Sequence, residues 1–166
     1  GGFGIPYFKA DHPLSLEKIK NHSQTLTEKI YSIFGMIDII IELGRFLVGE
    51  SGIYITKIID KKISRGQTFI ITDGGMNHHL AASGNLGQII KKNYPIYILN
   101  KLNSNKKEVL NIAGPRCTPL EQSGNQITLD QCEVGDLVGI FQSGAYGFTA
   151  SPLYFLSHPL PKEIIF

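Results

Sequence analysis

From Ile53 to Ser143 the apolar and β-branched residues come in short runs, each closed off by Asn, Gly or Ser, and this pattern limits the chain more than any other feature. The runs are Ile53–Asp60, Gln67–Thr72, Tyr94–Leu99, Glu108–Ala113, Gln126–Leu129 and Asp136–Ser143. None is long enough for a helix of ordinary length. The first two flank the charged stretch KKISRG, a hairpin signal. Short strands with turns between them at roughly 10–15 residue intervals predict an antiparallel barrel or sandwich.

The first part of the chain has a different texture. Leu16, Ile19, Leu26, Ile30 and Phe34 recur near helical spacing, with Ser15 as N-cap, Pro13 just before it and Gly35 as the stop. Ile37 to Leu43 (IDIIIEL) has the composition of a strand covered on both faces. Loop, helix and doubly buried strand form one unit of a parallel α/β barrel or sheet. The chain therefore divides near residue 46, with α/β below and β above, giving domains 1–46 and 47–166.

Charged residues make up 18%, below the usual quarter, which fits a well-buried protein with a large subunit interface. A net charge of +2 and scattered lysines (Lys91-Lys92, Lys106-Lys107) give no stripe for nucleic acid. The longest apolar run, Met36 to Leu43, is too short to span a bilayer, so no membrane partner is expected. Cys117 and Cys132 lack CxxC spacing and imply neither a zinc site nor a disulfide framework; the spacing leaves one disulfide open, and reduced thiols in a cytoplasmic enzyme are the expectation. The chain opens Gly-Gly-Phe-Gly with no initiator Met and reads as a C-terminal fragment of something longer.

Four constellations carry chemistry-bearing residues. Gly1-Gly2-Phe3-Gly4 could present backbone N–H groups to a phosphate, or be a simple turn. Glu42 and Arg45 lie at the C-terminal end of the expected buried strand, where α/β folds bind ligands; they could equally pair with each other. Thr72-Asp73-Gly74-Gly75-Met76-Asn77-His78-His79 ends a strand in a dense polar turn, and adjacent histidines on it suit a pocket wall or the surface better than a metal. Gly114-Pro115-Arg116-Cys117-Thr118-Pro119 and Gln142-Ser143-Gly144-Ala145-Tyr146-Gly147 each set one reactive side chain among turn-forming residues. The small residues of the second suggest backbone approaching a ligand. Cys132, in DQCE, is expected to be structural.

Taken in order, GGFGIPY, ELGR, TDGGMNHH, GPRCTPL and QSGAYGF resemble the C-terminal motifs of fold-type III pyridoxal-phosphate decarboxylases, the ornithine/diaminopimelate/arginine decarboxylase family. The resemblance implies a remnant of a cofactor-binding (β/α)8 barrel followed by a C-terminal β domain like that of alanine racemase. It implies pyridoxal 5'-phosphate as cofactor, an amino-acid carboxy-lyase activity, and a homodimer with composite active sites. Residue by residue, Gly1 and Gly2 match the phosphate-binding glycine loop. Glu42 matches the acid at the pyridine nitrogen, Arg45 the arginine that contacts phosphate or substrate carboxylate, and Tyr146 the tyrosine whose hydroxyl donates a hydrogen bond to the phosphate. Cys117 matches the cysteine that enters the partner's site and protonates Cα. A carboxylate beside the ring nitrogen keeps it protonated, and a positioned thiol acid suits the proton step.

The same comparison sets limits. The family's Schiff-base lysine lies upstream and has no counterpart here, so the isolated chain is expected to be inactive. Diaminopimelate enzymes carry an arginine after the turn motif, where Leu80-Ala81-Ala82 stand, and Cys-Glu-Ser where Cys117-Thr118-Pro119 stand. Ornithine enzymes place an aspartate where Thr118 stands. HHLAASGN and CTPLE resemble a branch tied to biosynthetic and exopolysaccharide clusters, with amino-acid or carrier-bound aminoacyl substrates; His78, His79, Thr118 and Glu121 are its specificity candidates. A non-catalytic dimerising relative and a racemase are the alternatives. Intact Cys117, Glu42 and Tyr146 disfavour the first, and a cysteine in place of a racemase's tyrosine disfavours the second.

Overall fold

A computed structural model describes residues 1–8, 10–86 and 88–165. Helix α1 (Leu16–Phe34) starts where the Ser15 hydroxyl accepts from the Lys18 amide and stops at Gly35, whose φ of 74° no side chain adopts cheaply. A second short helix, α2, covers Gly44–Val48. Six strands follow among the described residues: β1 (Tyr54–Ser64), β2 (Gln67–Thr72), β3 (Ile96–Ile98), β4 (Lys107–Ala113), β5 (Gln122–Asp130) and β6 (Leu137–Ile140).

The strands form one sheet in the order β3-β6-β1-β2-β4-β5. β1 and β2 make the expected hairpin, but β1 runs through most of the charged stretch. Only Arg65-Gly66 form the turn, with φ of 50° and 75°, the pair of positive values a two-residue hairpin loop requires. The remaining neighbours are antiparallel except β2 and β4, which run parallel. The outer strands come back toward each other: the Asn93 amide donates to the Asn125 carbonyl (2.7 Å), and the Asn125 amide donates back to Asn93 (2.8 Å). The sheet is thus a nearly closed barrel, which protects its edges from pairing with other chains.

Its inside holds Ile58, Ile70, Ile98, Leu110, Ile112, Val138 and Ile140, all essentially inaccessible, with Tyr94, Ile96, Leu129 and Cys132 beside them. Burial and the adjacent Glu108 push the Cys132 thiol up to about 12, so it stays protonated as a core residue.

Residues 1–46 contain no buried side chain among those described. The apolar stripe of α1 faces solvent, with Leu16 58% and Phe34 68% exposed. Ile37 to Leu43, expected as a strand buried on both faces, is unpaired, and Ile40 is 84% exposed. A strand exists only through its neighbours, and no described residue offers one. The segment that does dock is the first eight residues. Tyr7 and Phe8 stack on Tyr94 at 5.1 and 5.9 Å between ring centres, and the Gln142 side chain donates to the Pro6 carbonyl (2.6 Å).

Candidate active site

The first site lies where the N-terminal segment meets the loop after β6. Gly1, Gly2, Phe3, Gly4, Glu42, Leu43, Gly44, Arg45 and Tyr146 line a cavity of about 290 Å³. A methyl group on Gly1 would stand 3.3 Å from the Glu42 carbonyl, so the glycine loop lies directly against the ELGR segment. The Arg45 guanidinium sits 4.8 Å from the centre of the Tyr146 ring and 5.5 Å from that of Tyr7. Glu42 and Arg45 do not pair; the ion pairs among the described residues are Lys61–Glu108, Lys101–Asp136, Lys107–Asp130 and Arg116–Glu121. Arg45, Tyr146, Glu42 and the glycine loop thus line one cavity, bringing residue types that can donate to an anion together with an acidic residue. That combination fits a phosphorylated pyridine: donors for the phosphate and an acid for the ring nitrogen.

Tyr146 is placed by a tightly built loop. It has φ of 58°, and Gln142, at the loop's start, has φ of 57°. The Ser143 amide donates to the Gly52 carbonyl (2.9 Å) and the Gly144 amide to the Gly49 carbonyl (3.1 Å). A methyl on Gly144 would collide with the Val48 carbonyl. The small residues of QSGAYG therefore let two backbones meet, where the sequence suggested a backbone meeting a ligand.

Both histidines sit behind this loop. His79 is buried; the Ala82 amide donates to its Nδ1 (3.3 Å), so its Nε2–H donates to the Ser143 hydroxyl (2.9 Å). Burial holds its pKa down at about 4, so the ring is neutral. His78 is fixed in the same tautomer: Nε2–H donates to the Pro159 carbonyl (2.8 Å), and Nδ1 accepts from the Tyr54 hydroxyl (3.0 Å). Burial lowers the His78 pKa and raises that of Tyr54. Nothing in a His-His dipeptide announces this role; the nearby Ser143 and Tyr54 are brought in only by the fold.

The second site is the loop from Gly114 to Glu121, between β4 and β5. Cys117 is exposed at its tip and does not line the Arg45–Tyr146 cavity. Thr118 caps the short turn that follows it, its hydroxyl accepting from the Leu120 amide (3.3 Å). Glu121 is buried beneath the loop and pairs with Arg116, Nη1 to Oε1 at 3.3 Å. Cys117 and Tyr146 therefore stand in separate places on one chain.

Residues 7–144 match the family described as "Pyridoxal-dependent decarboxylase, C-terminal sheet domain". The chain belongs to that family. It is 41% identical over 169 residues to L-glutamyl-[BtrI acyl-carrier protein] decarboxylase of Niallia circulans, covering 99% of this chain and 39% of that protein. It is 31% identical to diaminopimelate decarboxylase of Methanocaldococcus jannaschii, covering 93% of this chain and 34% of that one. A crystal structure of diaminopimelate decarboxylase from M. jannaschii with L-lysine superposes with a TM-score of 0.81 at 27% identity, over 95% of this chain and 35% of the other. The chain thus spans well under half the length of the relatives it matches.

Proposed function

We propose that this chain is the C-terminal part of a pyridoxal-phosphate-dependent amino-acid decarboxylase that works as a homodimer with composite sites. Residues 1–46 belong with the cofactor-binding barrel and residues 47–166 form the sheet domain. The observation that carries this is the Arg45–Tyr146 stack in a cavity shared with the glycine loop and Glu42.

In this reading Arg45, the Tyr146 hydroxyl and the amides of Gly1 and Gly2 hold the phosphate. Glu42 faces the ring nitrogen and favours its protonated form. Bound there, the cofactor supplies the electron sink that lets the substrate's carboxylate leave as CO2. The exposed Cys117 enters the partner's site and hands a proton to the substrate's α carbon, while Thr118 lies beside the substrate. His78, His79 and Glu121 serve the site by holding its two loops in place. The substrate is an amino acid, and the 41% identical relative, named for an L-glutamyl group on an acyl-carrier protein, favours one borne on a carrier.

The full-length protein with pyridoxal phosphate, given free amino acids and carrier-bound aminoacyl substrates, is expected to release CO2 from one class. Loss of chirality without CO2, or no turnover with any substrate, would overturn the proposal.

A further inference from the structure

Arg116 is the residue before Cys117, yet its side chain is the most deeply buried cation of the chain among the described ion pairs, 0% exposed against 3% for Glu121. Besides its 3.3 Å contact to Glu121, its Nε donates to the Phe155 carbonyl (3.4 Å). The Glu121 carboxylate is wedged between two backbones. A methyl on either Gly75 or Gly114 would collide with Oε2 and come within 2.9 or 2.8 Å of the other glycine's Cα. Arg116 Nη2 and Glu121 Oε2 are buried and have no hydrogen-bond partner.

A pair this incompletely satisfied is a poor source of stability, because desolvating two charges costs more than one long contact returns. What it does achieve is geometric. It ties the cysteine loop to the Gly75 turn that leads into His78 and His79, and to the segment at Phe155. The loop is closed at its base by the Gly114 amide donating to the Glu121 carbonyl (3.0 Å), and above that by the Glu121 amide donating to the Thr118 carbonyl (3.1 Å). With Arg116 drawn inward, the next residue is turned out.

We infer that Arg116 and Glu121 are positioning residues that hold the Cys117 thiol outward for reaction in the partner subunit. This rests on the role proposed above for Cys117, and the two can fail separately. In the full-length, cofactor-loaded protein, Glu121→Gln is the direct test. The charge-neutral double variant Arg116→Met/Glu121→Gln keeps volume without leaving a buried charge unpaired, so it decides the matter should the single variant not fold. Two readouts are taken on each: steady-state turnover, and the rate at which iodoacetamide labels Cys117, followed by mass spectrometry of its peptide.

The expected result is a tenfold or greater loss of kcat with KM within about threefold, together with an alkylation rate changed at least fivefold. Introduced into a Cys117→Ser background, the same substitutions should change turnover less than twofold, since their effect runs through the thiol. Alkylation within twofold of the unaltered protein, or an equal loss of kcat on both backgrounds, would overturn the proposal. Should Cys117→Ser alone leave turnover unchanged, the thiol's catalytic role falls, and the alkylation rate by itself decides whether the pair positions it.

Discussion

Helix α1 and strand β4 both carry aliphatic side chains at the spacing their geometry demands, and only one of them buries any. Leu110 and Ile112 of β4 are fully enclosed, whereas α1 has no buried residue in five turns. The difference lies in the second layer. β4 has β2 and β5 beside it and the rest of the curled sheet across from it, so its apolar face meets another. The stripe on α1 meets none among the described residues, and a stripe without a partner contributes little. Residues 47 onward hold their own core; residues 1–46 present surfaces suited to one.

The largest test of that contrast is truncation. Leu110→Ala should destabilise the 166-residue chain by about 2–5 kcal/mol, while Leu26→Ala on the exposed face of α1 should change it by less than about 0.5 kcal/mol. Urea unfolding followed by tyrosine fluorescence measures both. Equal shifts would mean that α1 is packed after all, and the two regions would no longer differ.

Acid provides the next test, because the buried ring that binds the two loops together sits in the sheet region. His79 has its pKa lowered from about 6.5 to about 4, so the unfolded chain takes up a proton that the folded chain refuses. Its contribution is complete above pH 6.5 and lost as pH falls toward 4, about 3 kcal/mol over the window. Urea midpoints between those pH values should slope downward in the parent and less steeply in His79→Asn, the slope that remains coming from His78, whose pKa burial also lowers. Burial opposes ionisation of Glu108 and Asp136, but Lys61, Lys101 and nearby amides lower both pKa values, so their contributions are lost mainly at more acidic pH; Glu108 overlaps only the acid end of this window, and equally in parent and variant.

Gly144→Ala probes the loop that sets Tyr146 against Arg45. The added methyl must displace the Val48 backbone, at about 1–3 kcal/mol, and should move Tyr146 off Arg45. Heteronuclear NMR shifts confined to residues 45–52 and 142–147 are the expected signature; a spectrum unchanged there would show that the two backbones do not meet.

Local rules carried the sequence reading a long way. Ser15 and Gly35 bracket α1 because a cap and a stop act within one turn. The strand runs were legible because alternation and turn residues are local too, although β5 begins at Gln122, four residues before the run that suggested it. What was hidden depends on distant partners. The parallel pairing of β2 with β4, the burial of His79 against Ser143 and the Arg116–Glu121 pair all join residues that no short-range pattern connects. Ile37 to Leu43 failed as a strand for the same reason in reverse: its composition asks for neighbours, and composition cannot provide them. At the candidate sites, the motifs named Cys117, Arg45 and Tyr146, and the resemblance already assigned the cysteine to a different job; the fold adds that Cys117 is exposed and does not line the cavity of the other two.

The smallest effect tests whether the two regions unfold independently. The Ser15 hydroxyl accepts from the Lys18 amide at 3.4 Å, and replacing it with alanine should cost the helix about 0.5–1 kcal/mol. A 19-residue helix with no buried side chain is marginal by its own propensity, so this loss should be visible as reduced helical far-UV dichroism. The core lies in other strands and shares no partner with Ser15, so the urea midpoint of the sheet should not move. If Ser15→Ala instead lowers that midpoint, the helix and the sheet are one cooperative unit. The solvent-facing stripe of α1 would then be stabilising the sheet through contacts with the docked N-terminal segment, and the comparison between the regions would have to be redrawn around Tyr7 and Phe8.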